Sequence, residues 1–217
     1  MPEARTPLTR ERVLAAALEL ADADGLSALS MRRLGQALGV EAMSLYNHVP
    51  NKAAILDGLV DLVFAEIELP TPGEPWKDAL RRRTHAARAV LMRHPWAIGL
   101  MDSRRSPGLA TLRHHDAVIG CLRLGGFTVA GAAHAFSLID SYLYGFVLQH
   151  QALPFDGEDE LAEVGGQIME GLPEGAFPHF VELATEHALQ PGYDFGDEFA
   201  IGLEVVLDGI ERAATWQ

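Results

Sequence analysis

Apolar residues recur along this chain at intervals of three and four, the spacing of one helix face, and no useful run alternates as a strand would. Val13, Leu14, Ala17, Leu18 and Ala21 form the first stripe, with Thr9 placed as an N-cap and Gly25 as a stop. A second, short helix is predicted to start at Ser30, bury Leu34, Ala37 and Leu38, and end at Gly39. A third spans about 41–48. Pro50-Asn51 opens a fourth, whose face is Ile55, Leu56, Leu59, Val60, Val63 and Ile67. Pro70-Thr71-Pro72-Gly73 then breaks the pattern. Beyond it, helices are predicted at about 75–94, 96–101, 107–125, 128–150, 159–171, 175–189 and 194–214. Proline or glycine separates most of them, at Pro95, Pro107, Gly125-Gly126, Pro154, Pro173 and Pro191-Gly192. Residues 154–167 are acidic and read as a loop leading into a weak helix. No repeat of fixed period occurs. The expected class is all-α.

Two of the later helices are apolar on more than one face. Tyrosines aside, the ionisable side chains between Thr128 and Gln149 are His134 and Asp140. The length would suffice for a membrane span. Asp140 at mid-segment would then cost roughly 2.5–3.5 kcal/mol, and the flanks lack basic anchors, so no membrane role is expected. The final helix carries Phe195, Phe199, Ile201, Leu203, Val205, Val206, Leu207 and Ile210. Such helices need a second surface to cover them. Two from each of two chains would make a four-helix interface, expected to use Leu138, Tyr142, Leu203, Val206, Leu207 and Ile210. One buried helix and one surface helix is the alternative arrangement.

Composition narrows the class further. A hydrophobic fraction of 48% and a charged fraction of 22% over 217 residues are those of a globular protein. A single cysteine, Cys121, and a polar N-terminus point to a reducing cytoplasm and no signal peptide. The net charge of −13 is foreign to a nucleic-acid binder, but it is unevenly spread. Residues 1–52 hold six basic and six acidic side chains; the acid excess lies beyond them. An early DNA-contact surface would therefore escape the repulsion.

That early region contains a candidate surface. Ser30–Lys52 reads SMRRLGQALGVEAMSLYNHVPNK, two short helices around a tight turn at Gly39-Val40. This is the form of a helix-turn-helix, whose second helix enters the major groove. Gly39 can take the left-handed conformation that the turn needs, and Val40 can plug the angle between the helices. Ser30 as N-cap offers a helix end suited to phosphate. Arg32 and Arg33 in its first turn oppose the helix dipole, a mismatch that a nearby phosphate or base edge would relieve. Met43, Ser44, Tyr46, Asn47 and His48 can reach bases or backbone, and Lys52 follows on the next helix.

Gly39-Val40, Leu45-Tyr46-x-His48-Val49-x-Asn51-Lys52 and Ala54-Ile55-Leu56-Asp57 together resemble the signature of the TetR family of transcriptional regulators. Pro75-Trp76-Lys77-Asp78, Gly125-Gly126-Phe127 and Leu207-Asp208-Gly209-Ile210-Glu211 are similar to its tetracycline-repressor branch. The resemblance implies an N-terminal DNA-binding domain (1–52) and a connecting helix (53–68). A larger ligand-binding and dimerisation domain (75–217) would follow. It implies phosphate contacts for Tyr46, His48 and Lys52 and a base contact for Arg32. Ala42 and Met43 offer no hydrogen-bond code, so the operator sequence is not legible.

The resemblance also implies a homodimer bound to double-stranded operator DNA and released by a small-molecule effector held among the fourth to eighth helices. Inward-facing candidates are Arg83, His85, Arg104, His114, Ser137 and Ser141. Arg83 and Ala87 stand where tetracycline-binding members have a pocket asparagine and phenylalanine. Met101 stands near the place where those members have a metal-binding histidine. These departures argue against magnesium–tetracycline, and no metal or cofactor is expected. No phosphate loop, dinucleotide fingerprint or H-E-x-x-H occurs, so an enzyme is the remote alternative. A ligand-independent or partner-controlled DNA-binding regulator is the nearer one.

Overall fold

The computed structural model describes residues 7–101, 103 and 106–213. They form an N-terminal head of α1 (Arg10–Asp24), α2 (Met31–Leu38) and α3 (Ala42–Leu45), joined to α4 (Lys52–Glu66), and a larger body. The body comprises α5 (Trp76–Arg93), α6 (Ile98–Met101), α7 (Leu109–Leu124), α8 (Val129–Gln151), α9 (Glu158–Glu170), α10 (Pro178–Leu183) and α11 (Glu198–Arg212). A π-helical turn, Ala184–Ala188, extends α10, and a 3-10 turn, Phe195–Asp197, leads into α11. No strand occurs among the described residues.

Local chemistry explains most of the boundaries. Thr9, Ser30, Asn51 and Thr128 each accept a backbone N–H from three residues on, and such caps contribute about 1 kcal/mol each. Several helices are shorter than their patterns predict, and two of them have a clear local cause. α3 ends at Leu45 and gives way to a turn over Tyr46–His48, closed by His48 N–H donating to the Leu45 carbonyl at 2.9 Å. Pro50 follows and bars Val49 from α conformation. α10 begins at Pro178, because the proline ring keeps Phe177 out of the right-handed helix; Phe177 lies at φ 53°.

Two hydrophobic cores result, and α4 belongs to both. Its Ile55 and Leu59 pack with Val13, Leu34 and Leu45 of the head. Its Val63, Phe64 and Ile67 pack with Leu80, Leu122, Ile139 and Phe199 of the body. A polar cluster ties head to body as well. His94, buried just after α5, has Nδ1 2.8 Å from Asp22 of α1 and Nε2 3.2 Å from Glu66 of α4. The Trp96 indole N–H donates to the same Asp22 carboxylate at 2.7 Å.

The long apolar helices resolve differently from the expectation. No helix of the described residues is long and apolar enough to cross a membrane. α8 packs against α5, α7 and α11 inside one chain. Leu203, Leu207 and Ile210, expected at a dimer interface, are at most 1% exposed within the protomer. They point into their own core because α11 lays that stripe on α8 and α5. Tyr142 is likewise engaged within the chain, its hydroxyl donating to the Phe199 carbonyl at 2.9 Å. Val206 is partly buried against the same core. The outward apolar residues are Ile201 (62% exposed) and Val205 (65%) on α11 and, on α8, Val129, Leu138 (47%) and Leu148.

Two glycines separate close packing from open space. A Cβ on Gly35 would lie 2.9 Å from the Val40 carbonyl and 3.2 Å from Ala42 Cα, so α2 and α3 cross with no room for a methyl. One on Gly120, inside α7, would meet nothing within 4 Å. Gly35→Ala is expected to destabilise by about 1–3 kcal/mol through overpacking against rigid backbone. Gly120→Ala is expected to stabilise by about 0.5–1 kcal/mol through helix propensity. Urea unfolding of both variants checks the opposite signs.

Candidate DNA-reading head and effector cleft

The head is set by its turn. Gly39 adopts φ 66° and ψ 33°, the left-handed conformation expected of it, and its N–H donates back to Gln36. Val40 packs on the head core, and its N–H donates to the Gly35 carbonyl at 2.9 Å. α3 is thus fixed on α2 with Leu45 buried beneath it. Met43 (75% exposed) and Tyr46 (45%) project outward, Asn47 is exposed beside them, and Ser44 and His48 are half-buried.

The basic residues divide by role. Arg32 is exposed at the start of α2. Arg33 is turned back to Asp24 of α1 at 2.5 Å and serves the head's own structure. The Lys52 ammonium donates to the Leu29 carbonyl at 2.6 Å, pinning the start of α4 to the α1–α2 loop. An ammonium carries three donors, so two remain for a phosphate.

The body contains a cleft of about 300 Å³ beside α4. Phe64 of α4, Met101 of α6, and Thr111 and His115 of α7 line one side. A single stripe of α8 lines the other: Phe136, Ser137, Asp140, Ser141 and Tyr144. The His115 ring stands edge-on to both Phe64 and Phe136, with centroids 5.4 Å apart in each case. Behind the α8 stripe lies a buried polar relay. Arg83 donates from Nη1 to Asp140 Oδ1 at 2.8 Å and from Nε to His114 Nε2 at 3.0 Å. The His114 pKa is pushed down to about 3, first by burial and then by the Arg83 charge. It is therefore a neutral acceptor.

The expected ligand residues are thus brought together only in part. Met101, Ser137 and Ser141 face the cleft. Arg83 and His114 lie behind it, fully buried. Ala87 is sealed in the core, and His85 is an exposed residue of α5 set edge-on to Phe199 at 5.3 Å. α5 turns His85 away from the cleft because Arg83 and Ala87 occupy its inner face. Arg104 lies outside the described residues. Sequence reasoning missed Phe64, Thr111, His115, Phe136, Asp140 and Tyr144. Asp140 alone carried a signal, as the one carboxylate on an apolar helix.

Comparison with known proteins decides the family. The model of tetracyclin repressor-like C-terminal domains matches residues 69–214, and that of the tetR family of bacterial regulatory proteins matches 13–59. The chain belongs to the TetR family. Among its relatives is the HTH-type transcriptional repressor DrrR1 of Streptomyces coeruleorubidus, 33% identical over 94% of this chain and 77% of that protein. The class A tetracycline repressor from transposon 1721 of Escherichia coli is 28% identical over 95% of this chain and 92% of its own. Among solved structures, Streptomyces coelicolor ActR in complex with actinorhodin superposes with a TM-score of 0.80 at 29% identity. That match covers 95% of this chain and 96% of ActR. This TetR-family chain is accordingly a DNA-binding transcriptional regulator, with the helix-turn-helix in α2–α3.

The neutral His114 of this TetR-family protein has a consequence for acid stability. Its folded pKa, about 3, lies below the ordinary 6.5. Unfolded chain takes up a proton below pH 6.5 that folded chain refuses until about 3. The stabilisation is complete above that upper value and is lost as pH falls through the window. Stability is expected to drop by up to about 1.4 kcal/mol per pH unit on this account. His114→Gln, which keeps an acceptor for Arg83, should flatten that limb in urea titrations at pH 4–7.

Proposed function

We infer that the protein is a homodimeric repressor, working in the cytoplasm, that leaves its operator when a small molecule fills the cleft. The observation that carries this reading is the span of α4. Lys52 anchors its first turn at the head, and Phe64 lines the cleft about 18 Å further along the helix. Between them, Asp61 of α4 accepts the Thr111 N–H at 2.8 Å and its hydroxyl at 3.0 Å, capping α7 from a neighbouring helix. Gly108 has no side chain there; a Cβ would sit 2.2 Å from the Asp61 carboxyl carbon. A ligand that shifts α6 or α7 therefore pulls on α4, and α4 on the head.

Ile201, Val205 and Leu138 supply the apolar face that a second copy would cover, with α8 and α11 from each chain forming the interface. The two heads would then sit about 34–36 Å apart, or a multiple of it, to meet successive major grooves on one side of the duplex. A ligand can move this equilibrium only by its differential affinity, so operator should weaken effector by the factor by which effector weakens operator. Actinorhodin, held by ActR, is the first probe. The titration is run by calorimetry with and without an operator selected from random duplexes. Equal affinities would mark it as no inducer.

Four substitutions test this reading. Lys52→Ala should weaken binding to every duplex and reduce the salt slope by about one. Arg32→Ala should relax one operator position by roughly 1–3 kcal/mol. Fluorescence anisotropy over a salt series reads both, and parental behaviour in both would sink the assignment. Val205→Arg should turn a dimer into a folded 23.5 kDa monomer in sedimentation, whereas Leu203→Arg should lose the fold itself, since that side chain is fully buried in its own protomer.

A further inference from the structure

Asp140 is the carboxylate of an otherwise apolar helix, and its two oxygens are used differently. Oδ1 takes Arg83 Nη1 in a buried pair. Arg83 spends its Nε on His114, which is neutral. The relay therefore balances the charge of Asp140 and adds none of its own. Oδ2 accepts one long hydrogen bond, from the Tyr144 hydroxyl at 3.5 Å, weaker than one at the usual O–H···O distance of about 2.5–3.0 Å. Asp140 also lines the cleft. An ionised carboxylate oxygen accepts more than one hydrogen bond and donates none, so Oδ2 retains unused acceptor capacity where a ligand would lie.

The walls define the rest of the ligand. Phe64, His115 and Phe136 form an edge-on aromatic slot, which favours a flat ring system offering its faces and edges to other rings. Ser137 and Ser141 flank Asp140 on the same stripe. Their hydroxyls donate or accept, so they tolerate ring oxygens of either kind. A volume of about 300 Å³ lies at the small end for ligand pockets. The geometry points to a small fused aromatic effector that donates a hydrogen bond to Asp140 Oδ2 from a phenolic O–H or an equivalent N–H. A carboxylate or phosphate at that end would set acceptor against acceptor.

This selection rests on the cleft being the effector site, and the test separates the two. Three matched probes are titrated calorimetrically into the full-length dimer: 2-naphthol, 2-methoxynaphthalene and 2-naphthoate. The Met101 methyl resonance reports whether each enters the cleft. The expected result is that 2-naphthol shifts Met101 and binds at least tenfold more tightly than the ether or the acid. Asp140→Asn should close or reverse that gap, because the amide can keep an oxygen for Arg83 while turning an N–H toward the ligand. If that variant fails to fold, Tyr144→Phe removes the competing donor and should leave the gap intact or wider. Equal affinities with Met101 shifting would overturn the selection by Asp140 and leave the cleft standing. Binding without a Met101 shift, or no binding by any probe up to its solubility, would overturn both.

Discussion

Everything in this molecule depends on α4 having its two ends buried in two different cores. Ile55 and Leu59 hold the helix to the reading head, while Val63, Phe64 and Ile67 hold it to the body. Interiors packed to crystal-like density transmit displacement rather than absorb it. A helix fixed at both ends can therefore not be moved at one without moving at the other. The Asp22–His94–Glu66 cluster adds a second tie, from α1 to the end of α5. Head and body thus behave as parts of one lever, although each has its own core.

The cap that Asp61 gives α7 is the finest part of that lever. A helix N-terminus needs acceptors for its first N–H groups, and here the acceptor belongs to another helix. Gly108 cannot supply one, and the space its side chain would need is filled by the Asp61 carboxylate. The start of α7, next to the cleft, is consequently satisfied only while α4 keeps its place. A capping bond of ordinary strength becomes a mechanical connection because of where its two ends are.

The body also contains an ion pair that is costly to bury. Burying Arg83 with Asp140 gains little over an apolar pair of equal volume, yet losing one partner would cost about 3–5 kcal/mol. His114 completes the set by accepting from Arg83 without adding charge. The relay holds one oxygen of Asp140 in place and leaves the other toward the cleft. On the proposed reading of the cleft, rigidity comes from the buried side and choice of ligand from the open side.

Local rules made a large part of this legible in advance. Helix starts at Thr9, Ser30, Asn51 and Thr128, the left-handed Gly39, and the breaks at prolines follow from chemistry within a few residues of each position. The outward residues of the reading head were legible because the turn fixes them. The faces of α11 were not. Its sequence carries apolar residues on more than one side, and periodicity alone gives no preference between the Leu203 stripe and the Val205 stripe. Only the packing of α8 and α5 against it chose Leu203 for the core. The partners of Arg83 were equally hidden, since His114 and Asp140 lie on separate helices and hydrogen bonding at that range leaves no trace in spacing. Sequence by itself determined where helices begin, end and turn; the tertiary structure decided which faces meet, because burial is a property of pairs of surfaces and not of one helix.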